Sequence, residues 1–204
     1  IYYYTGATNG TILNDTASST HATGSGVYLG TGAVNNSIYN STGASVSDRG
    51  ILLSSYNSVF NSNGSSSSVY GIQAGNGGTI SNSMGISNSS QGIAIGGDNT
   101  TISNSVGISN SSDGIIISYN SNTTMANSAG ISNSSAGIRI ESSSRNRISN
   151  SSGTSNSSYG IYLYSSSNNT IANSTGTSDS NIGIYLYSSS NYTTIANSTG
   201  TSNT

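Results

Sequence analysis

The chain contains no cysteine, no proline and no tryptophan, and its four basic residues are all arginine. Without cysteine there is neither a disulfide scaffold nor a thiol metal site, although compartment does not follow from that absence alone. Missing cysteine and lysine also removes common sites of cross-linking and damage. Charged residues make up 5% of the 204. Four arginines form no basic stripe, so no nucleic-acid partner is expected. No apolar run approaches the ~18 residues of a membrane span, so no membrane insertion is expected. Ile1 stands where an initiator methionine would be, which reads as a processed product or a piece of something longer.

Bulky apolar residues are scarce too. Leu, Ile, Val and Phe number 36 of 204, below the roughly 20% that often accompanies disorder. The net charge, however, is only −2, and the apolar residues are strictly placed. Abundant interior glycine and β-branched isoleucine argue against helix. Low complexity here is repetition.

The repeat is plainest over Gly160–Gly200, where GIYLYSSSNNTIANSTG returns as GIYLYSSSNYTTIANSTG from Gly183. A Gly-apolar-x-apolar anchor recurs at Gly26, Gly50, Gly71, Gly92, Gly114, Gly137, Gly160 and Gly183. A second anchor, Ile12, Ile38, Val59, Ile80, Ile102, Met125, Ile148, Ile171 and Ile195, stands two residues before an Asn each time. Self-similarity at such a period is the signature of a solenoid. Past the first coil, length varies only between the GI anchor and the next Ile, as expected of one elastic loop joining rigid stacked strands. IYYY at the start occupies the slot of IYLY.

Each coil reads as three short strands. Period-2 alternation puts Ile115 and Ile117 inward with Ile116 out, and Ile102 and Asn104 inward with Ser103 and Ser105 out. Ile108 is the expected inward residue of the third strand. Parallel stacking at ~4.8 Å per coil makes a rod roughly 43 Å long. The residues expected to form an inward asparagine ladder are Asn14, Asn40, Asn61, Asn82, Asn104, Asn127, Asn150, Asn173 and Asn197. An isolated buried amide is costly, but stacked amides satisfy one another.

The pattern GI-x-[IL] followed by [TS]-I-x-N resembles the parallel β-helix repeat of the pectin-lyase-like superfamily. More closely it is similar to the Ser/Asn-rich repeats of NosD-type and archaeal surface-layer β-helix proteins. The resemblance spans essentially the whole chain and implies an all-β, single-stranded, right-handed parallel β-helix. About nine coils of 21–26 residues are expected, in one domain over 1–204 with no visible caps. The fold hosts lyases, hydrolases, adhesins and inert spacers, so function has to come from particular residues.

Glycoside hydrolysis ordinarily needs two carboxylates facing each other across the substrate. The acids are Asp15, Asp48, Asp98, Asp113, Glu141 and Asp179. No two fall in neighbouring coils at matching outward positions, and Arg139 with Glu141 reads as a surface ion pair of little energetic worth. No catalytic site, metal site or cofactor is expected. His21 has no partner ligand in register, and the glycines of 75–78 are followed by no Lys.

The tyrosines are more informative. Tyr162, Tyr164, Tyr185 and Tyr187 should form two outward columns, with Tyr2 and Tyr4 in the same slots of the first coil and Tyr28 in the second. Such columns can stack on one another, bind sugars, or meet another subunit. Ile1, Tyr2, Tyr4, Tyr162, Tyr164, Tyr185, Tyr187, Thr201 and Thr204 are assigned to head-to-tail self-association. Outward serine columns, Ser87, Ser109, Ser132, Ser155, Ser178 and Ser202, leave an ice-binding reading open.

N-x-[ST] is the densest motif, and a Ser/Asn/Thr-rich chain makes it by chance. Asn88, Asn110, Asn133 and Asn156 fall in a polar turn, and Asn99, Asn122, Asn168 and Asn191 in the elastic loop. These eight are the expected glycan acceptors. Inward ladder residues are expected to be spared. The reading is a structural extracellular or cell-surface protein, N-glycosylated, that stacks head to tail into a filament or forms part of a longer solenoid. Its expected partners are copies of itself. The alternative is a carbohydrate-binding or polysaccharide-degrading module.

Overall fold

The computed structural model describes residues 1–3 and 5–203. Tyr4 and Thr204, both assigned above to self-association, lie outside the described residues. Among the described residues, three parallel sheets of nine strands each run along the molecule, and each strand pairs in parallel with its counterparts in the adjacent coils. The coil Thr101–Ser103, Val106–Ser109, Ile115–Ser118 is representative. We call these positions the second, third and first sheets. Among the described residues there is no helix. The sequence register holds throughout: Ile72 lies between Ile51 and Ile93, and Ile102 between Ile80 and Met125.

Two sheets supply nearly all of the apolar core. Ile93, Ile115, Ile138 and Ile161 form one fully buried column of the first sheet, and Ile95, Ile117, Ile140 and Leu163 a second. Ile80, Ile102, Met125, Ile148 and Ile171 are the matching column of the second sheet. Burying each such side chain is worth roughly 1.5–3 kcal/mol. A thin core suffices because every coil adds one more layer to the last. Ile116 is outward as expected, on the outer face between Ala94 and Arg139.

The third sheet differs. Its inward residues are glycine and serine, for example Gly107 and Ser109, while Ile108 points out. Ile86 and Ile131, in register with Ile108, are 40% and 41% exposed. The glycine is required by close approach: a Cβ on Gly107 would stand 2.3 Å from the carbonyl oxygen of Gly114. The third and first sheets therefore meet backbone to backbone, and the anchor Gly forms the other side of that corner.

The expected asparagine ladder is corrected by the same geometry. Asn14, Asn40, Asn61, Asn82, Asn104, Asn127, Asn150, Asn173 and Asn197 are all exposed and all have positive φ, between 47° and 56°. Each one turns the chain from the second sheet to the third in the left-handed conformation that Asn tolerates better than other residues with a Cβ. That bend resets the alternation. Ser105 follows Asn104 and points inward, and so do Gly107 and Ser109.

Serine therefore fills two buried columns. In the first, Ser41, Ser62, Ser83, Ser105, Ser128, Ser151 and Ser174 are all buried. The backbone N–H of one coil donates to the serine Oγ of the next, as from Ser83 to Ser105 and from Ser105 to Ser128, both at 3.2 Å. Each hydroxyl in turn donates to the carbonyl two residues before it, as Ser105 does to Ser103 at 2.7 Å. In the second column Ser87, Ser109, Ser132, Ser155 and Ser178 are buried, each donating to a carbonyl one coil earlier. These were expected to face outward; buried, they offer no surface to ice, and only Ser202 in the last coil is exposed.

Candidate functional site: an arginine-tethered tyrosine platform

The outer face of the first sheet carries two columns that lead into the expected tyrosines. Arg139 lies in register with Tyr162 and then Tyr185, and Glu141 with Tyr164 and then Tyr187. The rings stack along each column, with centroids 5.7 Å apart for Tyr162–Tyr185 and 5.9 Å apart for Tyr164–Tyr187. Tyr185 and Tyr187 are also stacked across the columns at 5.8 Å. Strand pairing enforces these spacings, since successive parallel strands lie ~4.8 Å apart.

Tyr159, which the repeat pattern did not single out, completes the cluster. It precedes the anchor Gly160, so it lies at the corner rather than on the strand. Its ring packs 4.7 Å from both Tyr162 and Tyr185. Five tyrosines thus form one continuous platform, partly buried at its base and most open at Tyr187. The signal was present as an aromatic in the x-G-I slot, which Tyr70 also occupies beside Arg49.

Arg139 borders the platform. Its guanidinium lies 5.6 Å from the Tyr162 ring centroid and pairs with Glu141 at 3.0 Å, the ion pair read from the sequence. It also lies 3.9 Å from Asp113, which belongs to the preceding coil. Asp113 is 1% exposed, and its Oδ1 accepts hydrogen bonds from Ser135 Oγ and the Ala136 N–H. Burial pushes the Asp113 carboxyl above its ordinary value, offset in part by the Ser135 hydrogen bond and Arg139. Burial likewise raises the Tyr162 hydroxyl, with the Arg139 charge opposing.

The two carboxylates therefore hold one arginine in place and do not face each other across a cleft. Guanidinium over aromatic face is a favourable contact where solvent is partly excluded. The arrangement presents two stacked tyrosine columns bordered by one guanidinium that Glu141 holds in place. Tyr2 and Tyr28 make a smaller pair at the opposite end, with centroids 5.3 Å apart. His21 is exposed, and among the described residues no group of three or more His, Cys, Asp or Glu gathers.

All eight expected glycan acceptors, Asn88, Asn99, Asn110, Asn122, Asn133, Asn156, Asn168 and Asn191, have exposed side chains. So do Asn14, Asn40, Asn150, Asn173 and Asn197, which removes the ground for sparing them. A stacked amide ladder does exist, in the exposed turn column. Asn110 donates to Asn88, Asn133 to Asn110, and Asn156 to Asn133, at 3.3, 3.3 and 2.8 Å. Buried asparagines occur two residues before the Ile anchor, where Asn146 accepts from the Thr123 N–H and Asn169 from the Asn146 N–H. No sequence argument above singled these out.

Three stacked parallel sheets with one strand of each per coil define a parallel β-solenoid. The family model described as right handed beta helix region matches residues 49–200. The chain belongs to this right-handed β-helix family. No curated protein and no solved structure matches it.

Proposed function

We propose that this chain is a structural, extracellular or cell-surface β-helix, N-glycosylated on its exposed N-x-[ST] asparagines, that stacks head to tail into a filament or forms part of a longer surface solenoid. The observation that carries the reading is the unbroken register of three nine-stranded sheets. Each coil offers the next the same backbone donors, acceptors and core columns. A further coil of this pattern, from the same chain or from another copy, extends the rod without a new kind of contact. The reading includes no catalysis, since Asp113 and Glu141 are both engaged by Arg139. Glycopeptide mapping of native material, with electron microscopy of concentrated chain, tests it. Sugar on the exposed sequons and rods of uniform width are expected. Sequons left bare throughout, together with monodisperse single subunits, would refute it.

A second reading rests on the tyrosine platform. Stacked aromatic faces edged by a fixed guanidinium suit the apolar faces and hydroxyls of sugar rings. Glycan-array binding that is lost in Tyr162→Ala and Arg139→Ala and kept in Tyr28→Ala supports it. Equal binding by all three would rule it out.

A further inference from the structure

The outward positions of the third sheet are polar or small in most coils, as in Asn63/Ser65, Ser152/Thr154 and Thr175/Thr177. Three consecutive coils depart from this. Met84 and Ile86, Val106 and Ile108, and Ala129 and Ile131 place six apolar side chains side by side on the outside. They are unnecessary for the fold, because Ser65 and Thr154 fill the same register position as Ile108 in other coils. Ile86, Ile108 and Ile131 floor a shallow trough of about 390 Å³, walled by the amide ladder of Asn88, Asn110 and Asn133. A contiguous exposed apolar patch with a polar border is a candidate interaction surface.

Three features of the face suit a second copy of the chain. None of the nine strands of this sheet contains an Asp, Glu or Arg. The face therefore does not attract an ionic partner, and it meets a copy of itself without like-charge repulsion. Its ridges repeat once per coil, at the ~4.8 Å strand spacing, a period that a second solenoid shares. The amides along its border carry both donors and acceptors, so two such ladders related by a two-fold axis complement each other.

We propose that two copies of this chain pair side by side through the Ile86–Ile108–Ile131 face, sheet against sheet, about a two-fold axis. The contact is distinct from head-to-tail stacking and does not rest on it. A two-fold contact closes at two chains, whereas head-to-tail contact propagates. Asn88, Asn110 and Asn133 border the interface, so a glycan on any of them would stand inside it; pairing belongs to chains bare at these three positions.

The test uses the full chain expressed without glycosylation. Because the chain has no cysteine, Ile108→Cys places a single thiol near the proposed axis. Under mild oxidation it should form a disulfide-linked dimer quickly, while Thr101→Cys on the exposed outer face of the second sheet should not. Sedimentation should show a concentration-dependent pair in the parent chain. Ile86→Thr/Ile108→Thr/Ile131→Thr, using a side chain the solenoid already carries in this column, should weaken pairing by about tenfold or more with an unchanged thermal melt. Equal cross-linking at both positions, or a triple variant that pairs like the parent, overturns the proposal. Growth of the parent into polymers that the triple variant still forms would assign association to the ends instead.

Discussion

Ser128 Oγ accepts the backbone N–H of Ser105 at 3.2 Å and donates to the Ala126 carbonyl at 2.9 Å. The contact joins two coils inside the corner between the second and third sheets. It repeats in neighbouring coils, so each buried hydroxyl is satisfied in both of its roles.

Ser105→Ala should therefore leave the Ser83 N–H without its partner in a dry corner. A loss of about 1–3 kcal/mol is expected. Ser103→Ala, on the outer face, should cost within about 0.5 kcal/mol. Urea denaturation of both variants measures the contrast, and equal losses would contradict the assigned directions.

Asn127 serves the backbone. Asn127→Gly keeps access to positive φ and should change stability little, whereas Asn127→Val should cost about 1–2 kcal/mol through left-handed strain. Were the amide itself structural, the two variants would lose similar amounts. Thermal melts of the pair decide between the two accounts.

At Gly130 the corner between the third and first sheets admits no side chain. A Cβ at Gly130 would lie 2.1 Å from the Gly137 carbonyl oxygen. Gly130→Ala should destabilise by about 3 kcal/mol or more, read as a lowered denaturation midpoint. Ala17 already occupies the equivalent slot in the first coil, so Ala17→Gly should be far milder.

Asp113 gives the solenoid a pH dependence of known sign. Its carboxyl is raised in the fold, mainly by burial, so the folded chain holds this proton more tightly than the unfolded one. That contribution to stability is full below the ordinary carboxylate value and is lost as pH rises through the raised one. Asp113→Asn should flatten the stability profile from the ordinary carboxylate range upward. A profile identical to that of the parent would show that burial does not govern this group.

Glycan occupancy should be limited by the repeat itself. Asn88, Asn110, Asn133 and Asn156 stand in successive coils and hydrogen-bond to one another. Successive strands are only ~4.8 Å apart, too close for sugars on neighbouring rungs to avoid one another. Intact glycopeptide mass spectrometry across these sites should find no molecule with two adjacent acceptors of this column filled.

The repeat by itself determined the number of coils, the three strands in each, and the inward isoleucines of the first and second sheets. Those follow from spacing and period-2 alternation, which hold along any uninterrupted strand. Alternation does not survive a left-handed bend. Counting through Asn104 put Asn104 and Ile108 inside and Ser105 and Ser109 outside, and all four are the other way round. One residue with φ of 48° shifted the phase of everything up to the next corner. Only the tertiary structure fixes that angle, because Asn is accepted in both extended and left-handed backbone. The platform divides in the same way. Its columns Tyr162–Tyr185 and Tyr164–Tyr187 follow from register, while Tyr159 and Asp113 reach it from corners whose direction the pairing of strands does not specify. Chain spacing sets which residues share a rung, and the turn angles decide which of them face the core, the solvent or the next coil.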